Sequence, residues 1–93
     1  MINVLLINPA DNVVVALRDL QPGTTLQASD HLPDVLAREP IPFGHKIAIS
    51  CIPSGSNVIK YGASIGLAIT DINPGQHVHV HNLRSVRGAA KHA

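Results

Sequence analysis

The chain has little aromatic or sulfur chemistry: its 93 residues include one Phe, one Tyr, one Met, one Cys and no Trp. A core must therefore be built from Val, Ile, Leu and Ala, and few rings are available to stack on nucleic-acid bases. The single Cys51 cannot form an internal disulfide, which favours an intracellular, cytoplasmic protein. We expect Cys51 to be a small buried hydrophobic residue.

Strong net charge and long apolar runs are also missing. The net charge is +1, which gives no electrostatic reason to expect a nucleic-acid or membrane partner. No apolar run is long enough to span a bilayer. The apolar run at residues 2–7 lacks a basic flank and ends at Asn8-Pro9, so it predicts a strand and not a signal peptide. The length suits one domain with a modest core.

One seven-residue sequence pattern recurs four times, with an aliphatic residue at each end and Gly in the middle. These glycine phrases lie at residues 20–26, 41–47, 52–58 and 72–78. Pro before the Gly fixes φ, and Gly accepts the positive φ of a tight turn, so the phrases predict a turn-rich all-β domain. Asp19 and Asp71 precede two phrases and are expected to bind turn amides, whereas Cys51 holds the matching position of a third.

The apolar runs between turns predict the strands. They are expected at residues 3–8, 13–18, 46–51, 57–60, 65–70 and 77–81. Residues 28–40 are ambiguous: Ser29-Asp30 could cap a short helix limited by Pro33 and Pro40, and residues 35–37 could equally form a short strand. Residues 1–83 form the predicted domain, and the basic residues 84–93 are predicted to be a tail or a connector that docks on a partner.

Three histidines alternate with valines near the end of the chain. A strand through His77, His79 and His81 would place the imidazoles on one face and Val78 and Val80 on the other. Neighbouring imidazoles would be ~7 Å apart, so an H-x-H pair can share a divalent metal, but three can do so only if the strand bends. A solvated polar face explains the same pattern, and the residues alone favour it.

Two further clusters carry polar chemistry. Gly44 lets the backbone approach a ligand, and His45 and Lys46 add a titratable group and a cation, although an exposed turn explains them too. In a second cluster, Lys60 and Tyr61 would point to opposite sides of an extended segment. Tyr61 is equally compatible with a structural and a functional role. Its neighbours Asn57 and Gly62 complete the cluster, and Asn57 alone suggests a turn residue.

These motifs, taken in order, resemble a known family. Residues 44–46 read GHK, residues 57–62 read NVIKYG and residues 77–82 read HVHVHN. In that order and spacing they resemble the SAF-type N-terminal domain of the altronate/galactarate dehydratase family over about residues 2–83. The resemblance implies a β-clip fold. It also implies a domain that either precedes a much larger catalytic domain or is a separate small subunit.

The resemblance assigns roles to the clustered residues. Those it implies to be catalytic are His45, Lys46, Lys60 and Tyr61. Those it implies to bind substrate are Gly44, Asn57, Gly62 and Asn82. The implied metal ligands are His77, His79 and His81. The implied cofactor is a divalent metal, Fe²⁺, Mn²⁺ or Mg²⁺, held mainly with the large partner.

The implied activity is the elimination of water from a sugar acid to give a 2-keto-3-deoxy acid, at a site shared with the large catalytic partner. We expect the isolated chain to be inactive, because no nucleophile, base and orienting group occur together in it. Two alternatives remain open: the small subunit of a sulfolactate sulfo-lyase, and a non-catalytic carbohydrate-binding or assembly module. Self-association into a homo-oligomer is also left open.

Overall fold

A computed structural model describes residues 1–85, which form seven short strands and no helix. The strands are β1 (Val4–Leu5), β2 (Val13–Ala16), β3 (Lys46–Ala48), β4 (Asn57–Lys60), β5 (Ala63–Ala68), β6 (His77–Val78) and β7 (Leu83–Ser85). All pairings are antiparallel, in one sheet of order β1-β2-β3-β6 and another of order β4-β5-β7. The all-β prediction is confirmed. Within this part of the chain, nothing forms a helix that could cross a bilayer.

The predicted histidine strand is shorter than expected. β6 ends at Val78, and residues 79–82 form a turn. The Asn82 side chain closes this turn, because its Oδ1 accepts a bond from the His79 amide and its Nδ2 donates to the His77 carbonyl. Val80 therefore does not share a buried face with Val78: it is 79% exposed, whereas Val78 is fully buried. The expectation of a continuous strand over residues 77–81 is wrong.

The ambiguous segment contains a short extended stretch and no helix. The Ala37 amide donates to the Thr24 carbonyl, and the Leu26 amide donates to the Val35 carbonyl. Thr25 and Leu36 form an antiparallel bridge between these bonds. Of the two alternatives for residues 28–40, the extended one is therefore observed.

The glycine phrases pair two by two. Leu20 and Ile41 exchange both backbone hydrogen bonds, which joins the first phrase to the second. Ile52 and Ile72 exchange both bonds in the same way and join the third phrase to the fourth. We call residues 20–44 the first unit and residues 52–75 the second unit.

The two units repeat the same hydrogen bonds. The Gly23 amide donates to Ala37 in the first unit, and the Gly55 amide donates to Ala68 in the second, both at 2.7 Å. In each unit, an asparagine side chain also makes two hydrogen bonds to the backbone, as a neighbouring strand would. Asn3 Nδ2 donates to the Thr25 carbonyl and its Oδ1 accepts from the Gln27 amide. Asn12 makes the matching pair of bonds with residues 57 and 59.

Asp19 and Asp71 bind turn amides, as predicted, and each reaches the phrase paired with its own. Asp19 Oδ1 accepts from the Phe43 amide and Asp71 Oδ1 from the Ser54 amide, both at 2.8 Å. The remaining two phrases are preceded by Pro40 and Cys51, and the positions they would face are Pro22 and Pro74. Proline has no amide hydrogen, so an aspartate there would have no donor to bind.

Cys51 is exposed, which corrects the expectation of a buried core residue. Its neighbour Ile52 is 1% exposed. Side chains alternate in extended backbone, so Cys51 points outward as Asp19 and Asp71 do. The position before each paired aliphatic residue is a surface position in all four phrases.

Two aliphatic clusters form the core. One contains Val4, Val14, Leu20, Ile41 and Ile47, together with smaller members, and lies with the first unit. The other lies with the second unit and contains Val13, Ala48, Ile52, Val58, Ala68, Ile72 and Val78. Because β2 and β3 contribute alternate residues to each cluster, the four-stranded sheet separates the two and packs against both. No aromatic ring is needed to fill either one.

The C-terminal part of the described chain belongs to the second sheet. Arg84 and Ser85, which were predicted to start the tail, lie in β7 and pair with Leu67 and Gly66 of β5. The rest of the predicted tail, residues 86–93, lies outside the described residues.

Candidate functional site

Three histidines meet where the two units end. His45 follows the turn of the second glycine phrase, and His77 and His79 follow the turn of the fourth. β3 and β6 are neighbours, with Ile47 opposite His77, so these turns lie side by side. Nδ1 of His45 and Nε2 of His77 are 2.8 Å apart, a hydrogen bond in which at least one ring is neutral. The His45 and His79 rings stack with their centroids 4.5 Å apart.

The geometry of this histidine cluster suits one divalent ion. His45, His77 and His79 each offer one ring nitrogen, and these atoms all lie within 4.8 Å of one another. Metal–nitrogen bonds of about 2.0–2.1 Å place ligand atoms on one ion roughly 3–4 Å apart. Small side-chain movements would therefore bring the three nitrogens onto a common centre. The three residues fit a transition-metal site.

The cluster differs in membership from the predicted metal ligands. His81 is exposed, and its ring is tilted at 44° to the His77 ring, with centroids 5.4 Å apart. His45 takes the third place instead. It is 32 residues from His77 in the chain, so no local spacing could have joined them. The turn at residues 79–82 bends the chain after His77, but the cluster forms because β3 pairs with β6.

Two residues outside the cluster make hydrogen bonds to the backbone of its histidines. The buried Asn82 binds the backbone at His77 and His79 and fixes the path of the turn. Glu39 Oε2 accepts a bond from the His77 amide at 3.0 Å. Glu39 therefore occupies the side of β6 that β3 does not cover. Sequence reasoning missed Glu39, because it lies in the ambiguous segment and its partner His77 is 38 residues away in the chain.

The surroundings favour neutral imidazoles. Burial lowers the pKa of His77, and the charges of His45, His81 and His79 lower it further, while Glu39 opposes them. Desolvation also lowers the pKa of His79, with smaller contributions from His45, Lys46 and His81. A neutral imidazole is the form that binds metal. His77 and His79 therefore keep the metal-binding form to lower pH than a free histidine does.

Lys46 brings an unpaired cation to this end of the molecule. Its half-buried position lowers its pKa, and the charge of Lys60 adds to the effect. Within residues 1–85, Lys46 has no ion-pair partner. The charge of Lys46 in turn contributes to the lowered pKa of His79. An anion from outside would find a positive site here.

Lys60 and Tyr61 stand at the tip of the β4–β5 hairpin. Tyr61 is 67% exposed, and the Lys60 amine lies 5.3 Å from the centroid of its ring. Tyr61 belongs to the turn, so the extended arrangement considered for the pair is not formed. Gly62 completes the turn with φ of 73°. Asn57 opens β4, where it is exposed and accepts a bond from the Ser64 hydroxyl.

Gly44 is the last predicted site residue. It has φ of 83°, and a Cβ built on it would meet no atom within 4 Å. The structure therefore brings together His45, His77 and His79, with Lys46 and His81 beside them, and places Lys60, Tyr61 and Gly62 on a separate hairpin tip. A cavity of about 420 Å³ lies elsewhere, beside the loop of the first unit. Its lining includes none of these residues.

Comparison with known proteins gives consistent relatives. The family model of the altronate/galactarate dehydratase SAF domain matches residues 2–86. Altronate dehydratase of Escherichia coli (strain K12) is 47% identical over 79 residues, which are 85% of this chain and 16% of that enzyme. Galactarate dehydratase (L-threo-forming) of the same organism is 36% identical over 73 residues, 77% of this chain and 13% of the enzyme.

A smaller protein also matches. The α subunit of (2R)-sulfolactate sulfo-lyase from Paracoccus pantotrophus is 43% identical over 51 residues, which are 55% of this chain and 76% of that subunit. The chain thus spans about a sixth of the length of the altronate dehydratases that it matches, whereas it matches about three quarters of this lyase subunit.

Proposed function

The chain belongs to the altronate/galactarate dehydratase SAF domain family, and on that premise we propose that it is the small subunit or N-terminal domain of a sugar-acid dehydratase of the cytoplasm. The observation that carries the proposal is the convergence of His45, His77 and His79 from two distant turns. Folding alone gives no reason to gather three imidazoles at one surface. Their place beside Lys46 suits an acidic substrate.

The proposed reaction removes water from an aldonate or aldarate. A base takes the proton on the carbon next to the carboxylate, the hydroxyl on the following carbon leaves as water, and the resulting enol becomes a 2-keto-3-deoxy acid. The relatives' lengths support a large partner that supplies most of this machinery. His45 is the residue of this chain best placed for proton transfer, since its ring already exchanges a hydrogen bond with His77.

The cations of this chain would bind and orient the substrate. Lys46 has no ion-pair partner in the described residues, so a substrate carboxylate would supply the missing charge. The charge of Lys60 contributes to the lowered pKa of Lys46. A divalent transition metal, Fe²⁺ or Mn²⁺, if held by the histidine cluster, would supply Lewis-acid polarisation of substrate oxygens, whereas Mg²⁺ prefers oxygen ligands and would be held by the large partner. His81 would line the approach to the histidine cluster.

The sulfo-lyase match supports a second candidate. Sulfolactate is also an anionic hydroxy acid, and its elimination would need the same carboxylate contact with sulfite as leaving group. The separate α subunit of that lyase shows that a protein of this size can be a distinct chain. A non-catalytic carbohydrate-binding or assembly module remains the third candidate, and it would not require the histidine cluster.

Reconstitution tests the proposal. The chain would be mixed with the large dehydratase chain that is proposed as its partner, and assayed with altronate, galactarate and sulfolactate in the presence of each metal. We expect turnover of a sugar acid only when both are present. Turnover of sulfolactate alone would favour the second candidate. Full activity of the large partner without this chain would leave only an assembly role.

A further inference from the structure

The hairpin turn between β4 and β5 is strained at Tyr61. Tyr61 and Gly62 form a two-residue loop between the paired residues Lys60 and Ala63. Their φ angles are 57° and 73°, which match a type I′ turn. Asn-Gly is the preferred pair for such a turn, because Asn tolerates positive φ and an aromatic residue does not. Among residues 1–85, Tyr61 is the one non-glycine residue with positive φ.

A buried carboxylate holds the turn in place. Asp11 is 6% exposed, and its Oδ1 accepts from the Gly62 amide at 2.8 Å. Its Oδ2 accepts from the Tyr61 and Asn8 amides, both at 3.1 Å. Gly62 cannot be replaced without movement, because an added Cβ would lie 2.8 Å from Nδ2 of Asn8. Asp11 therefore fixes both residues of the turn.

The fold gains no packing from this arrangement. The Tyr61 ring is 67% exposed and fills neither core cluster. The corresponding tip of the first unit, the loop that follows Ala28, has no residue with positive φ. Strain of this kind persists where the surroundings enforce it, and it is concentrated at functional sites. Here a buried anion enforces it and the product is an exposed ring with Lys60 beside it.

We propose that Asp11 is a positioning residue that holds Lys60 and Tyr61 as a rigid edge for the anionic end of the substrate. Lys60 would bind the carboxylate, and the adjoining C–H groups would lie against the Tyr61 ring. Lys60 supplies a cation at this edge, 5.3 Å from the centroid of the Tyr61 ring, and the exposed ring supplies an apolar face. The proposal rests on the function proposed above and assigns its specificity to this hairpin.

The sharpest test is Tyr61→Asn, which gives the turn its preferred Asn-Gly pair while removing the ring. In the complex with the large partner, we expect KM for the sugar acid to rise about tenfold, as for other exposed aromatic contacts. We expect kcat to change less than about twofold. The melting temperature should stay the same or rise. Leu36→Asn is the matched control, since it removes an exposed apolar side chain of the first unit.

Two outcomes distinguish this proposal from the proposed function on which it rests. No turnover by the wild-type complex overturns both, whereas wild-type turnover with an unchanged KM in Tyr61→Asn overturns only the role of the hairpin. Asp11→Asn should also raise KM, and the increase should be smaller in the Tyr61→Asn background, because part of it acts through the Tyr61 ring. Additive increases would contradict the positioning role. If Asp11→Asn does not fold, Gly62→Ala displaces the same turn and should raise KM likewise.

Discussion

The two units of the molecule have the same skeleton and different chemistry. Each pairs its glycine phrases through one aliphatic bridge, donates a glycine amide across the unit and is held by an asparagine side chain. Their tips differ. The first unit has an open loop beside a cavity, and the second has a tight hairpin ending in Tyr61 and Gly62. Backbone bonds define the shape of both units, so the chemistry lies in the residues at their tips and ends.

The largest effect should come from a glycine that the comparison singles out. Gly44 and Gly75 are equivalent and have φ of 83° and 90°. A Cβ on Gly75 would collide with the Leu36 carbonyl, whereas one on Gly44 would meet nothing. We expect Gly75→Ala to cost about 3 kcal/mol of unfolding free energy and Gly44→Ala about 1 kcal/mol, measured by urea denaturation. Equal costs would mean that the two units do not differ here.

A histidine from each region gives the next contrast. His79→Ala removes one member of the cluster, and we expect it to lower activity of the complex with the large partner by tenfold or more. The fold should be kept, since loss of this side chain leaves the Asn82 bonds to the backbone unchanged. His31→Ala, in the loop of the first unit, is the control and should leave activity within about twofold. A comparable loss in both variants would refute a site confined to the cluster.

The pH dependence of cation binding should distinguish the cluster from free histidine. The pKa values of His77 and His79 are lowered from the usual 6.5, so both rings remain neutral as the pH first falls below that value. We expect Mn²⁺ or Fe²⁺ affinity to hold through pH 6.5 and to weaken at lower pH. Calorimetric titration of the chain between about pH 5 and 8, the range of histidine titration, measures this. Affinity that increases on acidification would exclude imidazole ligands.

The same shifts have a sign for stability. A histidine with a lowered pKa in the folded state favours folding above its unfolded pKa, and that contribution is lost as the pH falls through the folded value. The metal-free chain should therefore melt at a lower temperature in mild acid than at neutral pH. His79→Ala should reduce this dependence. A dependence that is unchanged in the variant would place its origin elsewhere.

The smallest effect concerns the aspartates of the paired phrases. Cys51→Asp alone should not stabilise the chain, because the facing residue Pro74 has no amide hydrogen to donate. Combined with Pro74→Ser, it should recreate the bond that Asp71 makes to Ser54 and show a favourable coupling of about 1 kcal/mol. A double-mutant cycle of thermal denaturation measures this. No coupling would mean that the two phrase pairs are less alike than their bonds indicate.

The turns of this fold were predictable because glycine and proline act locally. All four glycine phrases form turns. Asp19 and Asp71 bind turn amides as expected, but the amides belong to the paired phrases, 24 and 17 residues away, which only the fold shows. Strand lengths were less predictable. The alternation through Val80 indicated a strand, but Asn82 closes a turn there instead. Cys51 was misplaced because residue type suggested burial, whereas its position in the phrase decides its exposure.

The candidate site required long-range information. His77 and His79 were found by their spacing, but His45 joins them only because β3 and β6 are neighbours. Glu39 and Asp11 have no local signal at all. Asp11 acts on a turn 50 residues further along the chain, and only the fold shows that contact. The family resemblance singled out the motifs that contain these histidines, whereas their arrangement in space depends on the pairing of the units.

The position of the histidine cluster also bears on chain entropy. His45 and His77 lie 32 residues apart, one at the end of each unit. A cation held by both residues would close the intervening loop as a cross-link does. A cross-link of this kind lowers the conformational entropy of the unfolded chain. At a concentration a hundred times its Kd, the cation would add about 2.7 kcal/mol to the free energy of unfolding. The candidate site would then also stabilise the folded arrangement of the two units.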